Sequence, residues 1–196
     1  MKPVESNKKK QVNHHTVRSL AWQDIAKSKW LWPLIAVFAL VIILSLRLVI
    51  DLDIGFHLRG GQWMLENRSF HRYDVFTYTV NGNDYVALYW LYQILLYFIF
   101  TISGYGGLTM MNVFLITLVF LLIFVRMKSS GIPLWLEVLV IFVTLIAIEI
   151  RLGVRPEIVT WLFLVLMLYI LDQYLLFNKN YLIMLPIIQI LWVNFH

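Results

Sequence analysis

The chain has 196 residues, 61% of them hydrophobic and only 14% charged, with a net charge of +5 and no cysteine. That balance leaves too little polar surface to cover a soluble globule of this size, which argues for an integral membrane protein and against a soluble enzyme or a nucleic-acid binder. The absence of cysteine removes disulfides, thiolate catalysis and Cys-ligated metals.

The apolar runs are long and lack the alternation of barrel strands. Only helices and closed barrels satisfy their backbone groups in hydrocarbon, so the predicted fold class is all-α, a polytopic helical bundle. Residues 1–29 form a basic tail, with Lys2, Lys8, Lys9, Lys10, Arg18, Lys27 and Lys29 against Glu5 and Asp24. A basic flank before a first span marks the cytoplasmic side, which predicts a cytoplasmic N terminus and a multi-pass protein of the cell membrane. Within the tail, Thr16 to Lys29 can lie at the interface with Leu20, Trp22 and Ile25 toward lipid, and His14-His15 reads as an idle pair. Trp30 to about Ile50 is the first span, a retained signal anchor and not a cleaved peptide.

From Tyr85 to Val125 no residue carries a formal charge, and Ser103-Gly104-Tyr105-Gly106-Gly107 interrupts the run. Two spans, or one span preceded by a helix on the membrane surface near 85–102, would each fit. Positive residues accumulate inside. The one-span choice puts ten Lys/Arg inside and five outside, against nine and six for the other. Tyr85, Tyr89, Gln93, Tyr97 and Thr101 also form a polar stripe at helical spacing, suited to an interface or a cavity wall. The expected bundle over residues 30–196 therefore has about five spans plus the surface helix, with six spans as the alternative. The later spans run over about Leu108–Val125, Ile132–Ile150, Glu157–Phe177 and Tyr181 onward, with Glu137 and Glu149 as boundary residues.

Under the five-span topology three polar clusters emerge on the outer face: Asp51, Asp53 and His57; Arg151, Arg155 and Glu157; Asn194 and His196. Carboxylates at a membrane surface can accept a proton from an attacking hydroxyl or hold a divalent cation such as Mg or Mn, and Arg pairs with phosphate oxygens through a bidentate fork. Together they describe group transfer from a phosphorylated lipid, such as a sugar leaving a polyprenyl phosphate for an extracytoplasmic acceptor. Asp51 or Asp53 would be the base, and Arg155 with Arg151 would neutralise the departing phosphate. The plainer alternatives are a solvated Asp-x-Asp loop, arginines that snorkel to headgroups, and histidines that bond locally. A different class is a non-catalytic membrane subunit or transporter component that binds a lipid phosphate.

The ordered motifs Asp51-Leu-Asp53-Ile-Gly-Phe-His57-Leu58-x-x-Gly61-x-Trp63-Met64, Phe70-x-x-Tyr73-Asp74-Val-Phe76-Thr77-Tyr78-Thr79, Trp90-Leu91-x-Gln93, Arg155-Pro156-Glu157 and Trp192-x-Asn194-x-His196 resemble a family of bacterial polytopic proteins. That family belongs with the GT-C glycosyltransferases, which include the dolichyl-phosphate-mannose mannosyltransferases and the lipid A aminoarabinose transferase. The resemblance implies a large first extracytoplasmic loop with short helices along the membrane, a polyprenyl-phosphate sugar donor, a catalytic Asp at Asp51 or Asp53, and supporting roles for His57, Asp74, Glu157, Asn194 and His196. Relatives tend to carry His or Glu before the Trp-Leu pair where this chain has Leu88-Tyr89, so one polar contact of the site is either missing or replaced by the Tyr89 hydroxyl. Similar proteins also continue well past the Asn-x-His motif. The chain is thus expected to be the N-terminal portion of such an enzyme, or to work with a second polypeptide that completes the bundle.

Overall fold

A computed structural model describes Ile25 and residues 27–79 and 81–196. The expectations for the basic tail, including His14-His15 and most of the interfacial segment, lie outside the described residues. Those described are helical without a strand, and one isolated antiparallel bridge joins Tyr73 to Asp84. The helices are α1 (Leu31–Ser45), α2 (Ile54–Asn67), α3 (Trp90–Ser129), α4 (Leu134–Ile148), a 3-10 turn (Glu149–Arg151), α5 (Glu157–Phe177) and α6 (Met184–Phe195). Two of them, α3 and α5, are long and apolar enough to cross a membrane.

The 40-residue α3 breaks at Gly104, whose φ of 59° and ψ of −155° lie in a region open essentially to glycine alone. Both ends of its first part sit at one end of the bundle. Trp90 bonds Asn194 near the end of α6, and beyond the break Thr109 bonds the carbonyl of Arg47 just past the end of α1. The second part then runs the length of the bundle to Arg126, which pairs with Asp172 near the end of α5 at 2.7 Å. The helix over this stretch begins at Trp90, later than its polar stripe implied. Residues 85–89 are not helical, and Tyr85 instead stacks on His71.

Two apolar cores hold the helices. One joins α1, the second part of α3, α4 and the start of α5 through Val41, Ile116, Phe120, Ile141, Leu145 and Ile158. The other joins α2, the first part of α3, α5 and α6 through Leu58, Tyr92, Leu96, Val159, Phe163 and Ile188. Large apolar side chains also cover the outside, among them Ile43, Val143, Ile146, Leu175, Ile190 and Val193. Exposed apolar surface of this extent marks a face that meets lipid or another protein.

Two boundaries depart from expectation. α1 stops at Ser45 and not near Ile50, because the chain turns so that Arg47 caps the carbonyl of Leu44 and pairs with Glu149. A guanidinium gains more from that pair than from continuing an apolar helix. α6 starts at Met184, three residues after Tyr181, since Asn180 and Tyr181 form its entry turn. Glu137 lies in the first turn of α4, at the end of its helix as expected, but is fully buried with both carboxylate oxygens unpartnered.

Candidate functional site

The end of the bundle that carries Asp51 encloses a cavity of about 400 Å³. Four distant parts of the chain build it. The link between α1 and α2 supplies Asp51 and Asp53, and the first turn of α2 supplies Phe56 and His57; the loop into α5 supplies Val154, Arg155 and Pro156, and α5 opens with Glu157; Tyr89 before α3 and His196 after α6 close the side. Seven residues singled out from the sequence thus meet: Asp51, Asp53, His57, Tyr89, Arg155, Glu157 and His196. Phe56, Val154 and Pro156 were not foreseen, because apolar wall residues carry no chemical signature in a sequence this apolar.

The two aspartates differ. Asp51 Oδ2 pairs with Arg155 Nε at 2.5 Å, while its Oδ1 accepts the backbone N–H of Asp53 at 3.0 Å. Both its oxygens are committed, and its side chain is 13% exposed. Asp53 is exposed at the start of α2, makes no side-chain cap, and among the described residues has no ion-pair partner. One carboxylate therefore holds the arginine, and the other stands free in the cavity.

His57 is buried one turn into α2, with its ring edge-on to Tyr89 and Tyr92 and its Nδ1 3.5 Å from Gln93 Nε2. Burial pushes its pKa below the usual histidine value, against the opposing pull of Asp53 and Asp51. A neutral ring results. Gly60 and Gly61 allow this contact: a Cβ at Gly60 would come 2.7 Å from Gln93 Oε1, and one at Gly61 would strike the Gln93 carbonyl. Gly61 sets the α2 backbone directly against that of α3, while Gly60 leaves room for the Gln93 amide.

Across the cavity His196 lies beside Tyr89, with ring centres 5.5 Å apart, and its Nδ1 is 2.9 Å from Thr160 Oγ1. Trp192 Nε1 donates to the same Thr160 hydroxyl at 3.1 Å. Tyr89 thus sits between the two histidines.

Three sequence candidates lie outside the cavity. Arg151 is in the 3-10 turn and pairs with Glu157 at 3.2 Å, supporting the wall. Asn194 accepts a hydrogen bond from Trp90 Nε1 at 2.6 Å and so ties α6 to α3. Asp74 organises its own loop, accepting from the backbone N–H groups of Phe76 and Thr77 and from the Thr77 hydroxyl. These bonds, the Thr77 N–H foremost, hold its carboxyl below the usual range. A metal set is not assembled either: among the described residues no three His, Asp or Glu side chains converge as ligands. The pair expected to hold Mg or Mn has one member already engaged with Arg155.

A larger space of about 550 Å³ adjoins this cavity, walled by Arg47, Leu48, Ile50, Leu52, Ile150 and Gly153 and sharing Asp51, Val154 and Arg155 with it. The Asp51–Arg155 pair is therefore a partition between a polar chamber and a mainly apolar one. No protein-family model, curated protein or solved structure matches the chain.

Proposed function

We propose that the protein is a GT-C-like integral membrane glycosyltransferase, or the N-terminal part of one, acting on a polyprenyl-phosphate sugar at the outer face of the cell membrane. The observation that carries this reading is the Asp51–Arg155 partition with Asp53 free beside it. An arginine between a polar and an apolar chamber suits a phosphate whose hydrocarbon tail stays in lipid. In the step, an acceptor hydroxyl attacks the anomeric carbon and gives its proton to Asp53. The bond from that carbon to the phosphate oxygen breaks, and the phosphate leaves with its new charge against Arg155. Asp51 keeps the guanidinium in place until the phosphate takes it. The multi-pass arrangement and the cytoplasmic N terminus belong to the same proposal, supported by the exposed apolar surface and by the basic tail.

The test is binding and transfer with a radiolabelled polyprenyl-phosphate sugar in nanodiscs. Arg155→Ala is expected to weaken donor binding at least tenfold, and Asp53→Asn to leave binding intact while abolishing transfer. Binding that depends on Arg155, with transfer indifferent to Asp53, would instead favour the non-catalytic lipid-phosphate-binding component.

A further inference from the structure

Each cavity histidine uses its Nδ1 on a protein group away from the cavity. The more closely determined case is His196. An indole N–H can only donate, so Thr160 Oγ1 accepts from Trp192 at 3.1 Å. The hydroxyl keeps its one proton and a second lone pair, and His196 Nδ1 lies 2.9 Å away. Where that proton goes to Nδ1, the bonds run one way from indole to hydroxyl to imidazole, and a neutral ring carries its own proton on Nε2. The backbone supports the geometry, since the His196 N–H bonds the Trp192 carbonyl at 2.9 Å and holds both side chains at the end of α6.

His57 repeats the pattern with different parts. Gln93 is fully buried on the first part of α3, and its amide Nε2 faces His57 Nδ1 at 3.5 Å. Gly60 of α2 packs on that amide, and Gly61 on the Gln93 backbone carbonyl. The lowered pKa of His57 agrees with a neutral ring that accepts at Nδ1.

We propose that Thr160 and Gln93 are positioning residues that hold His196 and His57 as Nδ1 acceptors, so that two Nε2–H donors face the cavity on either side of Tyr89. The histidines then grip acceptor oxygens, such as sugar hydroxyl or phosphoryl oxygens, and the proton-accepting role falls to Asp53. What is gripped rests on the transferase reading, whereas the tautomers do not.

The tautomers are read directly by nitrogen NMR of the full chain with ring-labelled histidine in nanodiscs at pH 8, above the ordinary imidazole value of about 6.5. His57→Asn and His196→Asn assign the signals. The native protein is expected to show Nδ1 unprotonated and Nε2 protonated in both rings. Thr160→Val should turn the His196 signal into a mixture of tautomers while leaving His57 unchanged, Thr160→Ser should restore it, and Gln93→Met should move only His57. A protonated Nδ1 in either native ring, or a His196 signal indifferent to Thr160→Val, would overturn the proposal. Because no donor lipid is present, that failure stays separate from any failure to bind or transfer a sugar.

Discussion

Gly61→Ala tests how the site is held. The added methyl meets the backbone carbonyl of Gln93 and the Cβ of Tyr97, neither of which is the far end of a flexible side chain, so α2 has to move off α3. Overpacking of this kind costs about 1–3 kcal/mol, and a clash with backbone belongs at the upper end. Alanine in a helix offsets about 0.5–1 kcal/mol of that relative to glycine, leaving a net loss of roughly 2 kcal/mol. Gly55→Ala is the matched control, since it lies in the same helix and its added methyl meets nothing within 4 Å. It should gain about 0.5–1 kcal/mol. Denaturant unfolding in detergent, followed by tryptophan fluorescence, compares the two. The displaced helix carries His57 and begins at Asp53, and a shift of about 1 Å between positioned groups costs on the order of a hundredfold in rate. Equal stabilities for the two variants would refute the close packing of α2 on Gln93.

The remaining predictions concern charge, pH and backbone. Asp53→Asn should lower sugar transfer by about a hundredfold to ten-thousandfold, the range lost with a general base, whereas Asp51→Asn should act chiefly by releasing Arg155 and raising the donor KM; steady-state kinetics separates them. His71 is buried in an aromatic box of Trp63, Phe76 and Tyr85 with both ring nitrogens unpartnered, and burial lowers its pKa against the pull of Asp74. The unfolded chain therefore binds the proton more readily, so stability is complete above pH 6.5 and falls as pH drops through 6.5 toward the folded value. His71→Phe, which keeps the stacking, should remove part of that slope in unfolding curves taken between pH 5 and pH 8. Gly104→Ala should cost about 1–3 kcal/mol, because alanine is strained at the observed angles, and its unfolding midpoint checks this.

Much of the helix layout was legible because hydropathy and turn residues report it directly. α5 begins at Glu157 after Pro156 and ends at Phe177 before Asn178, whose positive φ of 55° closes the helix. The glycine cluster after Ser103 marked the break that the structure realises at Gly104. The cavity was legible as a meeting of motifs, yet the partners inside it were not. Arg151 and Arg155 are four apart, a spacing that makes neighbours on a helix. Residues 152–156 are not regular helix, however, and only Arg155 reaches the cavity. Nor does spacing reveal which aspartate is engaged, since that depends on a contact between residues 51 and 155. The polar stripe left open whether Gln93 faces an interface or a cavity wall; it is fully buried against Gly60 of α2, with its Nε2 3.5 Å from His57 Nδ1.

All of this chemistry requires the three clusters to share the outer side of the membrane. The absence of cysteine permits single cysteines at Ser69, Ser103, Ser130 and Asn180, each exposed, to be labelled in intact cells with a membrane-impermeant thiol reagent. Labelling at Ser69 and Ser103 with protection at Ser130 and Asn180 is the predicted result. Labelling at Ser130 or Asn180 with protection at Ser69 would contradict the account, because the end of the bundle that holds Asp53 and Arg155 would then face the cytoplasm.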